Sequence, residues 1–128
     1  MAILSESTKI RGGSTDITVY KLLNDSIDAN TTSTAVDVLD ATALTLLVEA
    51  GANVSSGVVT LEGALTSDYS GTWASLTTAT TNAASKTFLA NLDTGDTASV
   101  PVPYVRARIS TVIGGGGSVD VYLIVRRE

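Results

Sequence analysis

The chain has 128 residues, 44% of them hydrophobic, a formal net charge of −5, and neither cysteine nor histidine. This length predicts one domain with its own core. The missing residue types exclude cysteine nucleophiles, Ser-His-Asp triads, disulfides and zinc sites built from Cys or His. The negative charge argues against nucleic-acid binding and against anionic membranes. No Sec-type signal and no transmembrane helix are expected from the pattern of apolar residues.

Residues 1–14 end in the polar stretch Arg11-Gly-Gly-Ser14 and predict a flexible N-terminal arm, or one ordered only against a neighbouring subunit. Residues 15–128 form the predicted domain. Short β-rich or alternating segments predict strands there, because successive side chains of a strand point to opposite faces. In chain order these segments are Ile17–Leu23, Thr34–Leu39, Leu44–Val48, Val58–Leu65, Thr72–Leu76, Lys86–Leu92 and Ala98–Val102.

The segments between these strands are rich in turn formers. Residues 25–30, 51–57, 67–71 and 93–96 combine Gly, Asn, Asp and Ser, which predicts turns. Residues 77–85 are a polar low-complexity stretch and predict an exposed, mobile loop. The chain contains 19 Thr and 14 Ser, a composition that suits strands joined by many loops.

The last quarter of the chain carries the clearest pattern. Val105, Ala107 and Ile109 alternate with polar residues, four glycines follow, and residues 119–125 alternate again. This pattern predicts two half-buried antiparallel strands that form a closing hairpin. With eight or nine short strands in all, the sequence predicts an all-β protein. The expected architecture is a single antiparallel β-sandwich of jelly-roll or immunoglobulin-like type.

Half of the eight basic residues lie in this predicted hairpin, at Arg106, Arg108, Arg126 and Arg127. If the two strands pair, these side chains form a basic stripe on one outer face. Such a stripe is either an ordinary charged face that hinders pairing of the sheet edge with another chain, or a surface that forms salt bridges between subunits.

The carboxylates do not predict a catalytic or metal site. Glu49 and Glu62 could act as the two acids of a glycosidase, but their alternation with apolar neighbours predicts solvated strand faces. The stretch 93–96, Asp-Thr-Gly-Asp, together with Asp68 could offer oxygens to calcium. It also makes a good turn, matches no EF-hand loop, and lacks the flanks of the aspartic protease signature. We therefore predict no enzymatic activity, no metal and no cofactor.

Aromatic residues supply an alternative binding site. Tyr69, Trp73 and Tyr104, with Asp68 beside them, could form a platform on which a sugar ring stacks. A single tryptophan in a small sandwich is more often packed in the core or beneath a loop.

Two motifs carry a resemblance to a known group of proteins. The first runs from Val59 to Leu76 and includes Leu-Glu-Gly-Ala and Ser-Asp-Tyr-Ser-Gly-Thr-Trp; the second is Val102-Pro-Tyr-Val-Arg-Ala-Arg-Ile-Ser110, followed by the glycine run. Together they resemble small virion proteins of tailed bacteriophages, in which "EGS", a "DG-x-x-W" loop and "Y-V-R-A-R-I" precede a Gly/Ser hairpin. The resemblance extends weakly over residues 33–126. This chain departs from it at Ala64, where serine is usual, and in its longer tryptophan loop.

The resemblance implies a β-sandwich that decorates or cements a capsid, or that forms part of a tail. A structural protein on the capsid surface of a virion, made in the host cytoplasm, is the first expectation. Its partners would be the major capsid protein or other virion subunits, and a homo-oligomer is expected. A tail-associated carbohydrate- or receptor-binding module built on Asp68, Tyr69 and Trp73 is the alternative. The residues expected at the shell interface are the four hairpin arginines and, in the arm, Ile3, Leu4, Lys9 and Arg11.

Overall fold

A computed structural model describes residues 7–12, 15–39, 41–82, 87–93 and 103–127, with side chains from residue 17 onward except those of 87–93. All regular structure in these ranges is β, as predicted. The nine strands are β1 (Ser7–Gly12), β2 (Thr15–Ser26), β3 (Val36–Asp37), β4 (Ala41–Ala50), β5 (Ser56–Ala64), β6 (Ala74–Thr80), β7 (Thr87–Asp93), β8 (Tyr104–Gly114) and β9 (Val119–Arg127).

The strands form two antiparallel sheets. The five-stranded sheet has the order β1-β2-β9-β4-β7, and the four-stranded sheet has the order β3-β8-β5-β6. From β2 to β9, consecutive strands lie in alternate sheets, except that β5 and β6 are neighbours in one sheet. The prediction of a single antiparallel β-sandwich is confirmed.

The core lies between the sheets and is built from alternate residues of the long strands. In β4 the side chains of Leu44, Leu46 and Val48 are buried, while their neighbours are partly or fully exposed, which confirms a strand here. Each fully buried aliphatic side chain contributes about 2 kcal/mol by leaving water. The opposite sheet supplies, among others, Leu61, Val105, Ala107 and Ile109, and β9, the neighbour of β4 in its own sheet, supplies Val121, Leu123 and Val125.

The predicted closing hairpin is wrong. β8 pairs with β5 and β3 in the four-stranded sheet, whereas β9 pairs with β2 and β4 in the five-stranded sheet. The glycine run therefore carries the chain from one sheet to the other instead of turning it back on itself. Alternation predicts that each strand buries one face, but it does not predict which strand is the partner. Two strands on opposite sides of a core satisfy the same pattern.

Two connections cross between the sheets side by side: the one from β8 to β9 and the one from β4 to β5. We call each of them a crossing. Gly51 N donates to Ser118 O at 2.9 Å, and Ser55 N donates to Gly114 O at 2.9 Å. Gly115 has a φ of +100°, and a Cβ there would overlap the carbonyl oxygen of Asn53. The close approach of the two crossings thus requires glycine at this position.

We expect Gly115→Ala to lower the free energy of unfolding by about 2–4 kcal/mol, because it adds a steric overlap to the strain of a positive φ. Gly116→Ala is the matched control. Gly116 has a φ of +91° and open space around it, so the loss there should be about 1 kcal/mol. Urea denaturation followed by circular dichroism measures both values, and equal losses would contradict the packing of the two crossings.

The segment before β4 is less regular than predicted. A strand over Thr34–Leu39 was expected, but only Val36–Asp37 forms one. The chain nevertheless follows β8 through separate hydrogen bonds, with Asn30 N donating to Ile109 O at 2.7 Å and Ser33 N donating to Ala107 O at 2.9 Å. At the edge of a sheet, isolated bonds of this kind can replace a continuous ladder.

The predicted mobile loop over 77–85 is wrong for its first part. Residues 77–80 belong to β6, and Ala79 and Thr81 are buried. Thr81 N donates to Gly57 O at 2.9 Å, which fixes the end of the strand. The run of threonines was interpreted as low complexity, but threonine is β-branched and favours strands.

The prediction of a flexible N-terminal arm is wrong for residues 7–12. This stretch forms β1 and pairs with β2 in register from Ser7↔Tyr20 to Gly12↔Thr15. Only Ile10 is apolar in this stretch, so no alternation marks it as a strand; pairing satisfies the edge of β2 that would otherwise face solvent. Residues 1–6, with Ile3 and Leu4, and the predicted strand Ala98–Val102 lie outside the described residues. The division at residue 14 stays a prediction.

Candidate functional site

The most distinctive side-chain group lies on the outer face of the four-stranded sheet. Glu62 follows the core residue Leu61 on β5 and therefore points away from the core, yet it is only 3% exposed. The expectation of a solvated Glu62 is wrong. β5 lies between β6 and β8, and long side chains from β8 cover the carboxylate. Alternation shows which way a side chain points, but it does not show what covers it.

Glu62 pairs with two arginines. Arg106 lies directly opposite in register and donates from Nε to Oε1 at 2.8 Å, while Arg108 donates from Nε to Oε2 at 3.0 Å. Arg108 also donates from Nη1 to Asn30 Oδ1 at 3.1 Å. Each carboxylate oxygen thus has a charged donor, which offsets the cost of burying it. We call Glu62, Arg106 and Arg108 the Glu62 cluster.

Trp73 extends this cluster. The guanidinium carbon of Arg106 lies 4.1 Å from the centroid of the Trp73 ring, a cation–π geometry. Trp73 Nε1 donates to the carbonyl oxygen of Tyr69 at 2.9 Å, and the tryptophan is only 6% exposed. It does not belong to the core cluster between the sheets. The loop before β6 therefore folds over Arg106 and is held there by the indole.

The burial of Trp73 changes which ring of the predicted glycan platform a sugar could reach. Trp73 is buried, so Tyr69, which is 45% exposed and has its ring centroid 6.4 Å from that of Trp73, is the accessible aromatic of the pair. Asp68 is exposed in the same loop. The sequence did not reveal the adjacent cleft of about 390 Å³, which is mainly apolar. Its lining residues are Gly63, Ala64, Leu65, Thr66, Tyr69, Thr72 and Ala74.

The predicted stripe of four arginines is wrong, because β8 and β9 lie in different sheets. Arg126 is exposed on the five-stranded sheet. Arg127 donates from Nη2 to the carbonyl oxygen of Asp37 on β3 at 2.9 Å and so ties the two sheets together. Of the arm residues, Lys9 and Arg11 lie in β1, and their side chains are outside the described set.

The outer face of the five-stranded sheet is an ordinary charged face. Glu49 is exposed there, and Lys21 Nζ lies 5.7 Å from the centroid of the Tyr122 ring. Desolvation by burial, with smaller contributions from the nearby carboxylates Glu49 and Asp120, raises the pKa of Tyr122. Since Glu49 and Glu62 lie on opposite outer faces of the sandwich, they cannot act as a catalytic pair on one substrate.

The described residues contain no group of three or more acidic side chains placed to hold a metal ion. Within the same ranges, no helix is long and apolar enough to cross a membrane. Asp93 ends β7, and the rest of the predicted turn lies outside the described residues.

Comparison with models of known protein families gives no match, and neither does comparison with curated protein sequences. Solved structures are similar in fold. The SPBc2 prophage-derived protein YomS matches with a TM-score of 0.60 and 14% identity over 91% of this chain and 98% of that chain. A structure of deformed wing virus, a honeybee pathogen, matches with a TM-score of 0.50 and 9% identity over 98% of this chain and 45% of that chain. At these identities the similarity concerns the fold alone.

We expect Glu62→Gln to lower the free energy of unfolding by about 2 kcal/mol, because the substitution leaves two arginines of a partly buried cluster without their counter-charge. Glu49→Gln is the matched control. Glu49 is exposed, and its loss should stay within about 0.5 kcal/mol. Thermal and urea denaturation of both variants check this expectation, and equal effects would contradict a structural role for the Glu62 cluster.

Proposed function

We propose that this protein is an auxiliary decoration protein that binds the outer surface of a bacteriophage capsid in many copies. The observation that carries the proposal is the fold similarity to a prophage-derived protein over nearly the full length of both chains. The motif resemblance described above supports the same class of protein independently, because it rests on residues and not on the backbone. A β-sandwich whose buried carboxylate, Glu62, is held in ion pairs with Arg106 and Arg108 suits an adhesive rather than a catalytic role.

The proposed mechanism is attachment by a rigid body that presents sheet edges. β1 is an edge of the five-stranded sheet, and its outer side has backbone groups that another chain can pair with. The N-terminal segment, residues 1–6, precedes β1 in the chain. Contacts by this N-terminal segment with neighbouring shell subunits, and contacts between copies in a homo-oligomer, would give each bound copy an advantage through multivalency.

Immunogold electron microscopy of intact particles from the source of this sequence tests the proposed location directly. We expect regular labelling over the head. Labelling confined to the tail would instead favour host recognition, and particles without label would contradict any virion role.

Deletion of residues 2–12 should weaken binding to heads stripped of the protein by at least about tenfold, because it removes the N-terminal segment and the edge strand β1 together. Deletion of residues 2–6 alone leaves β1 in place and separates the two contributions. Circular dichroism must show that both variants keep their β structure. Undiminished head binding by the longer deletion would contradict the proposed attachment.

A second candidate is a carbohydrate- or receptor-binding module of the tail, which the exposed ring of Tyr69 beside the apolar cleft favours. Trp73 lies close enough to Tyr69 to report on ligands there. Saturable quenching of tryptophan fluorescence by a soluble glycan is the expected result for this candidate, and a flat response across a broad glycan panel would count against it.

A further inference from the structure

We infer that Arg106 and Arg108 form a preorganised binding site for a carboxylate from an acidic protein surface. The identity of that surface as part of a capsid shell rests on the proposed function, whereas the carboxylate chemistry does not. The inference starts from the orientation of the two guanidinium groups, because both meet Glu62 through Nε.

Pairing through Nε leaves the outer nitrogens available. A guanidinium group has five N–H donors. Arg106 makes one hydrogen bond, to Glu62, and Arg108 makes two, to Glu62 and to Asn30. Within the described part of the chain, no other acceptor lies within hydrogen-bonding distance of these groups. Both side chains reach solvent, at 24% and 31% exposure respectively. The Nη donors that do not pair with Asn30 are therefore the groups to which we assign the incoming carboxylate.

The charge of the Glu62 cluster is also unbalanced. Two guanidinium groups face a single buried carboxylate, which leaves one positive charge at the surface of a chain whose net charge is −5. One excess charge suits a single additional carboxylate. Nucleic acid needs an extended basic surface, which one excess charge does not supply. The carboxylate-binding site is thus expected to bind an Asp or Glu side chain.

The arginines are held in place before any partner arrives. Glu62 anchors both side chains, and the Trp73 ring covers one face of the Arg106 guanidinium at 4.1 Å. Much of the cost of ordering and desolvating two long side chains has therefore been met within the folded monomer. A planar guanidinium fixed in this way can bind a carboxylate through parallel N–H···O bonds, a geometry that a lysine cannot reproduce.

The probe is a hexaglutamate peptide, with hexaglutamine as the neutral control and binding measured by isothermal titration calorimetry and by Trp73 fluorescence. We expect saturable binding of hexaglutamate that weakens as salt is added. Arg108→Gln should raise the Kd by about tenfold, and Arg108→Lys should fall between that variant and the wild type. Arg126→Gln is the matched control, because Arg126 is exposed on the other sheet and should not affect binding.

Several results would overturn the inference. They are the absence of saturable hexaglutamate binding, an equal loss in Arg126→Gln, and tighter binding of hexathymidylate than of hexaglutamate. Because Arg108→Gln keeps the pair between Arg106 and Glu62, it is expected to fold. If its circular dichroism spectrum is not native, Arg108→Lys provides the same comparison.

Binding to stripped heads separates this inference from the proposed function. If wild-type protein and Arg108→Gln bind heads equally well, the shell is not the acidic surface that these arginines bind, and the decoration role stands. If hexaglutamate binds as expected but wild-type protein does not bind heads, the decoration role is wrong and the carboxylate-binding site is confirmed.

Discussion

The structure depends on a single constraint, which is that each strand from β3 to β9, except β6, lies in the sheet opposite to the strand before it. The connections from β4 to β5 and from β8 to β9 both cross between the sheets, and they lie against each other. The backbone bonds between Gly51 and Ser118 and between Ser55 and Gly114 join them. Gly115 permits this approach because a side chain there would overlap the neighbouring crossing. The hydrophobic core and the two outer faces follow from this arrangement.

The outer face of the four-stranded sheet shows how a polar group can be buried outside a core. Glu62 follows the core residue Leu61 on β5, while its own side chain is covered by Arg106 and Arg108. The pairing succeeds because the register places Arg106 directly across from Glu62 and Arg108 within diagonal reach. Trp73 adds an aromatic cover to one arginine, so the loop before β6 is tied to the sheet.

This face links structure to the proposed role. A surface protein that attaches in many copies needs contact groups that are already ordered, since each flexible side chain that becomes fixed on binding reduces affinity. The Glu62 cluster fulfils this requirement with a net positive charge on an acidic chain. The edge strand β1 offers a different kind of contact, through backbone groups. A carboxylate-binding site on one sheet and the backbone edge of β1 on the other would let one small domain bind two neighbours.

The sequence by itself determined the β class, the positions of most long strands and the direction in which their side chains point. Val105, Ala107 and Ile109 were correctly assigned to a buried face because alternation is a local property of the strand. Only the tertiary structure decided that β8 and β9 lie in opposite sheets and that Glu62 is buried. It also decided that Trp73 packs on Arg106 and not between the sheets. These features depend on which strands become neighbours, and strand pairing is a long-range choice that a two-residue period leaves open.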